Sequence, residues 1–122
     1  MSKQELIATQ IEELYSAIPE LHGVLLASAE GQPIAHAMSN GDDAGRLAAL
    51  AANAAKMASR VTGAIDNGEP QEVNIRCEEG NMFIYYAGRK ALLALVGPES
   101  ANTGLIHLEA RHTAQQIGEL FA

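Results

Sequence analysis

The stretch Asp43–Ile65, DAGRLAALAANAAKMASRVTGAI, is an alanine-rich helix whose apolar surface is wider than a small domain can cover alone. At about 100° per residue, Leu47, Ala51, Ala54, Ala58, Val61 and Ile65 form one stripe. Leu50 and Met57 widen it on one flank, and Ala44, Ala48 and Ala55 widen it on the other. A surface helix needs an apolar arc of roughly 100°, and this one covers nearly twice that. Alanine ridges let helix backbones approach closely. The surplus face, with Ala48, Ala51 and Ala55, is therefore expected to seat a second helix. The polar sector carries Arg46, Asn53, Lys56 and Arg60, a basic stripe on an acidic chain and the candidate surface for a partner. Two plainer readings compete: alanine is the best helix former, and a charged helix face can simply be solvated.

Outward from this helix, the remaining elements follow from periodicity and breakers. Ser2-Lys3-Gln4-Glu5 is a capping box that opens a helix to about Ile18, with Leu6, Ile7, Ile11, Leu14 and Ile18 along one side. Pro19 stops it. His22–Ala29 reads as a strand, Glu30-Gly31 as a tight turn and Gln32–Met38 as the hairpin partner. Ser39–Asp43 is a loop rich in capping side chains, and Asp42-Asp43 place negative charge at the start of the alanine helix. Asn67-Gly68-Glu69-Pro70 ends that helix. Strands at Glu72–Glu78, Asn81–Ala87 and Ala91–Val96 are joined by turns at Glu79-Gly80 and Gly88-Arg89. After Gly97-Pro98, with Ser100 as the expected cap, a last helix runs from about Ala101 to Leu120.

Composition indicates which strands are central. Val24-Leu25-Leu26, Phe83-Ile84-Tyr85-Tyr86 and Leu92–Val96 are apolar on consecutive residues, which fits burial of both faces. Pro33 suits an edge. The strand at Val73 alternates: Val73, Ile75 and Cys77 point one way, Glu72, Asn74, Arg76 and Glu78 the other. Alternation marks the opposite edge, which has no proline or bulge glycine to blunt it. Pairing Val73, Asn74 and Ile75, together with the helix face, to copies of themselves across a twofold axis would cover both exposed features.

The chain has 122 residues, is 48 % apolar and carries a formal charge of −7. That length suits one domain, 1–122, able to bury roughly two-thirds of its unfolded surface. The negative charge argues against nucleic acid along a phosphate backbone and against a basic membrane-seeking face. No apolar run approaches the ~20 residues that span a bilayer. Cys77 is the one cysteine, so no internal disulfide forms, in keeping with a reduced, cytoplasmic setting.

Three segments carry a family resemblance: GVLLASAEGQPIAHA at Gly23–Ala37, EVNIRCEEGNMFIYYAGRKALLALVG at Glu72–Gly97 and NTGLIHLEARHTAQQI at Asn102–Ile117, with the small-residue helix between the first two. In this order the chain, from about Leu6 to Leu120, resembles the Roadblock family, the dynein light-chain relatives that include the bacterial MglB-like polarity regulators. The resemblance implies an α+β sandwich of profilin/longin type, in the order αββαβββα, with a five-stranded antiparallel sheet between helices. It also implies a homodimer in which third strands and second helices meet their twins, giving a ten-stranded sheet. Its members act as platforms for small Ras-like GTPases or as subunits of motor and signalling scaffolds. The usual aspartate of the first hairpin turn is replaced here by Ala29-Glu30, a departure that bears on the turn.

The search for chemistry yields little. No GxxxxGK[ST] phosphate loop is present, and no HExxH or paired CxxC. His107 and His112 are five apart, on different helix faces, and are expected at the surface or an interface. His22 and His36 could approach across the first hairpin, which is too few ligands for a metal. Cys77 on an alternating apolar face is expected to behave as a small hydrophobe. Ser28 and Ser39 have no base identifiable from sequence. Phe83, Tyr85 and Tyr86 fall on both faces of one strand, as core aromatics do. No enzyme, cofactor or metal is expected. The expected function is a homodimeric platform that binds and regulates a small Ras-like GTPase. Two alternatives stand beside it: a structural adaptor without effect on GTP turnover, and a small-molecule sensor.

Overall fold

The computed structural model describes residues 1–39 and 41–121, with Asp42 described by its backbone alone. The elements are α1 (Lys3–Ala17), β1 (Gly23–Ser28), β2 (Pro33–Met38), α2 (Ala44–Ala64), β3 (Glu72–Arg76), β4 (Asn81–Ala87), β5 (Ala91–Gly97) and α3 (Thr103–Leu120). A 3-10 turn over Gly41–Asp43 leads into α2. The order αββαβββα is as expected.

One antiparallel sheet runs β2-β1-β5-β4-β3. The three strands with consecutive apolar residues are therefore central, and the strands of Pro33 and Val73 form the two edges. The chain-adjacent β2 and β3 lie at opposite edges, and every pairing is between chain-adjacent strands except that of β1 with β5. That pairing joins the first hairpin to the β3-β4-β5 meander and sets Val24 opposite Leu95 and Leu26 opposite Leu93.

The sheet separates two apolar layers. On one face, Ile7, Ile11 and Leu14 of α1 and Ile106, Ala110 and Ile117 of α3 pack on Val24, Leu26, Phe83, Tyr85, Leu93 and Leu95. Each such large side chain contributes about 1.5–3 kcal/mol on full burial. On the other face, Leu25, Ile84, Leu92 and Ala94 meet Ala44, Ala48, Ala51, Ala52 and Ala55 of α2.

Helix ends follow local chemistry. The Ser2 hydroxyl accepts from the Glu5 amide, completing the expected capping box of α1. The cap of α3 is Asn102 and not Ser100: its side chain accepts from the Leu105 amide at 3.1 Å, and its own amide donates to Glu20 at 3.1 Å. Asp43 occupies the α2 N-cap position without a capping hydrogen bond from its side chain. The charge expected from Asp42 there lies outside the described side chains.

Two glycine contacts fix how the layers meet. Gly31 in the β1–β2 turn has φ +97°, and a Cβ there would stand 3.1 Å from Ala49 Cα, so the turn rests on the α2 backbone. At the other end, a Cβ on Gly118 of α3 would stand 2.8 Å from the Gly88 nitrogen. Helix and turn touch there without side chains between them. Among the described residues, no helix is long and apolar enough to cross a membrane.

Candidate protein interaction site

The α2 helix turns its small residues inward and its large ones outward. Ala48, Ala51 and Ala55, expected to seat a twin, are at most 5 % exposed and lie against their own sheet. That expectation is corrected, and the reason is distance. Leu25, Ile84 and Leu92 already fill the space above the sheet, and Gly31 brings backbone against backbone, so only a methyl group fits between. Tyr86 confirms the close approach: its hydroxyl donates to the Ala55 carbonyl at 3.2 Å.

The expected core stripe is split by the same geometry. Leu47, Ala54 and Ala58 are half-buried, whereas Leu50, Met57, Val61 and Ile65 are between 52 and 58 % exposed. A surplus apolar face is present, but its large side chains form it. Isolated exposed apolar residues are ordinary; a contiguous row on one helix marks an interaction surface.

The β3 edge adds to this surface. Its alternation holds: Val73 packs into the α2-side layer, and Ile75, paired with Met82 on the same sheet face, is 42 % exposed. Asn74, paired with Phe83, faces the α1/α3 side and is exposed. Cys77, expected on the apolar side of this strand, lies beyond its end and is exposed; the strand stops at Arg76. The free side of β3 presents backbone donors and acceptors without a partner strand.

Arg46, Asn53, Lys56 and Arg60 are all exposed; Arg46, Asn53 and Arg60 lie opposite the alanine face, and Lys56 flanks it beside Ala52. Arg46 lies 3.4 Å from Asp43, one turn away on the surface. At 100° per residue, Met57 falls between this stripe and Leu50, so the basic residues border the exposed apolar row. The structure places the two side by side.

A polar cluster missed by sequence reasoning ties β3 to α3. Arg111 donates to both Glu72 carboxylate oxygens at 3.0–3.2 Å. His107, one turn earlier, is half-buried, its side chain 25 % exposed. Its ring stands edge-on to Phe83 and Tyr85, and its Nδ1 is 2.5 Å from the Tyr85 hydroxyl. Burial first, and the Glu72 charge second, push the Tyr85 hydroxyl well above the ordinary tyrosine range, with Arg111 opposing. The register Glu72–Tyr85 and the i, i+4 spacing of His107 and Arg111 make the cluster, and neither is visible until α3 is docked.

The other histidines do not converge. His36 pairs across from Leu25, while the His22 carbonyl accepts from the Ser39 amide, so the two are not opposite each other. Among the described residues, no group of three or more His, Cys, Asp or Glu could hold a metal ion.

The order αββαβββα, with one five-stranded antiparallel sheet between helices, defines a sandwich of Roadblock/longin type. The chain belongs to the Roadblock/LC7 domain family, whose model matches residues 7–97. Its fold is that of an MglB in a tetrameric arrangement, at TM-score 0.90 and 22 % identity over 98 % of this chain and 90 % of that one. Similar likenesses are to the gliding protein MglB of Thermus thermophilus (0.89, 22 %, 98 % and 91 %) and to a Roadblock/LC7 domain of Streptomyces avermitilis (0.88, 18 %, 93 % and 96 %). No curated protein matches the sequence significantly.

Proposed function

We propose that the chain is a non-enzymatic homodimeric platform that binds a small Ras-like GTPase and regulates its nucleotide cycle. The observation that carries this is the exposed row Leu50, Met57, Val61 and Ile65 on α2 together with the edge position of β3, whose Val73 packs into the α2-side layer. Both features need a partner, and one twofold operation supplies it: strand to strand, helix to helix. The seam then consists of Val73, Asn74 and Ile75 together with the outer face of α2. Membership of the Roadblock/LC7 family, and the MglB-like regulators it resembles, support a GTPase as the further partner. Arg46, Asn53, Lys56 and Arg60 border the seam from both protomers and offer a basic surface on a chain of net charge −7. Such complementarity acts mainly on association rate and specificity. Regulation proceeds by reordering the GTPase's switch loops, with no catalytic side chain donated.

The deciding experiment mixes the purified protein with a purified small Ras-like GTPase and follows GTP loss and nucleotide release. Acceleration of either supports regulation. Binding with no change in either establishes the adaptor reading, and no binding overturns the proposal. Reversing Arg46, Lys56 and Arg60 to glutamate slows association at low salt and much less at high salt. Each exposed pair is worth only ~0.2–1 kcal/mol, so all three changes are made together.

A further inference from the structure

A second concave surface lies on the other flank of α2, where the β4–β5 turn rises beside its C-terminal half. Two adjoining hollows, about 510 and 190 Å³, share Ser59, Tyr86 and Arg89 and form one open cleft. Its floor is apolar, with Ala52, Ala55 and Leu92. Its rim carries Lys56 and Arg89 from two different elements, with the Ser59 hydroxyl and Glu69. Among the described residues, the ion pairs within 4 Å are Arg46–Asp43, His107–Glu72 and Arg111–Glu72. Lys56 and Arg89 thus face the cleft without a carboxylate of their own chain against them, although Glu69 stands in its wall.

We propose that this cleft is a binding site for a linear acidic peptide segment of another protein. One carboxylate sits between Lys56 and Arg89, and a neighbouring aliphatic side chain covers the Ala52–Ala55–Leu92 floor. The charge argument is local. In a chain of eight Lys and Arg against fifteen Asp and Glu, two cations converge on one hollow with one acid beside them. The guanidinium of Arg89 offers a planar fork suited to a carboxylate. The Ser59 hydroxyl, hydrogen-bonded to Tyr86, closes the wall between them. Tyr86 anchors the back wall through its bond to the Ala55 carbonyl. By helix spacing, the strip Arg46–Asn53–Arg60 separates this cleft from Leu50, Met57 and Val61. The site shares Lys56 with the stripe offered to the GTPase, and Arg89, on the β4–β5 turn and outside that stripe, distinguishes the two.

The test titrates the isotope-labelled full chain with a capped octapeptide of alternating glutamate and leucine, following backbone amide shifts by NMR. Saturable shifts at Ser59, Tyr86, Gly88 and Arg89 are expected, weakening as salt rises. Arg89→Glu weakens binding about fivefold or more, and Arg89→Gln less. Arg89 is an exposed turn residue, so unchanged shifts elsewhere establish that both variants remain folded. A peptide with lysine replacing glutamate leaves the amides unmoved. The proposal is overturned by an equal response to the lysine peptide, by shifts confined to the outer row Leu50, Met57 and Val61, by binding indifferent to Arg89→Glu, or by no saturable shift.

Discussion

Arg111 on the last helix grips Glu72, the first residue of the β3 edge strand, through three donor–acceptor contacts of 3.0–3.2 Å. The residues are thirty-nine positions apart in sequence, so the contact couples the α1/α3 layer to the strand with an open side. Arg111 is 61 % exposed and Glu72 31 %, which limits its worth to the surface range, about 1 kcal/mol even with bidentate geometry.

Arg111→Ala is therefore expected to lower stability by about 0.5–1 kcal/mol and to speed hydrogen exchange in β3 more than in β5. Urea denaturation of Arg111→Ala, Glu72→Gln and the double variant gives the coupling. A coupling of zero means that the grip contributes nothing to stability.

Tyr85 governs behaviour in alkali. In the folded chain its hydroxyl ionises above the ordinary value of 10.0, chiefly because it is buried. Below pH ~10 both folded and unfolded forms hold the proton, and the contribution is fully present. Above it the unfolded form releases the proton first, so stability falls by up to ~1.4 kcal/mol per pH unit for this group. Tyr85→Phe flattens the fall between pH ~10 and ~12 at a cost of about 1 kcal/mol near neutrality, where the bond to His107 is lost. Denaturation midpoints across that range check both effects.

The two faces of α2 respond oppositely to substitution. Ala48 is fully buried against the sheet, and Ala48→Leu overpacks it, lowering stability by about 1–3 kcal/mol. Val61→Asp on the outer face leaves the protomer folded and dissociates the proposed dimer. Sedimentation and thermal melting separate the two outcomes.

Asn74→Pro removes a backbone donor from β3 and disturbs strand geometry. Loss of the dimer is expected, because obligate interfaces commonly bury ~2,000 Å² or more and this strand supplies the continuous part. A variant that still sediments as a dimer shows that α2 alone holds the twins.

The element order was legible because each segment carries its own period: consecutive apolar residues in β1, β4 and β5, alternation in β3, Pro33 on β2. The orientation of α2 was not. Its two apolar arcs share one helical period, and the choice between them rests on the space above the sheet, set by Leu25, Ile84 and Leu92 together with Gly31. Alanine suits a partner's approach, but here it is needed at home. His107 escapes the sequence for a related reason: its slot is built by Phe83 and Tyr85, and only the docking of α3 on β4 creates it. The cleft at Arg89 joins side chains from four separate segments, none carrying a local signal. The basic stripe, by contrast, is a one-helix pattern, and its exposure could be read directly.

The contact between Gly118 and Gly88 has a mechanical consequence. Where backbone meets backbone there is no rotamer to absorb a displacement, so the last turn of α3 and the β4–β5 turn behave as two ends of one stiff lever. Arg89 is the next residue along that turn. A push on the end of α3 toward that turn therefore meets backbone directly, with no side chain between it and the residue beside Arg89.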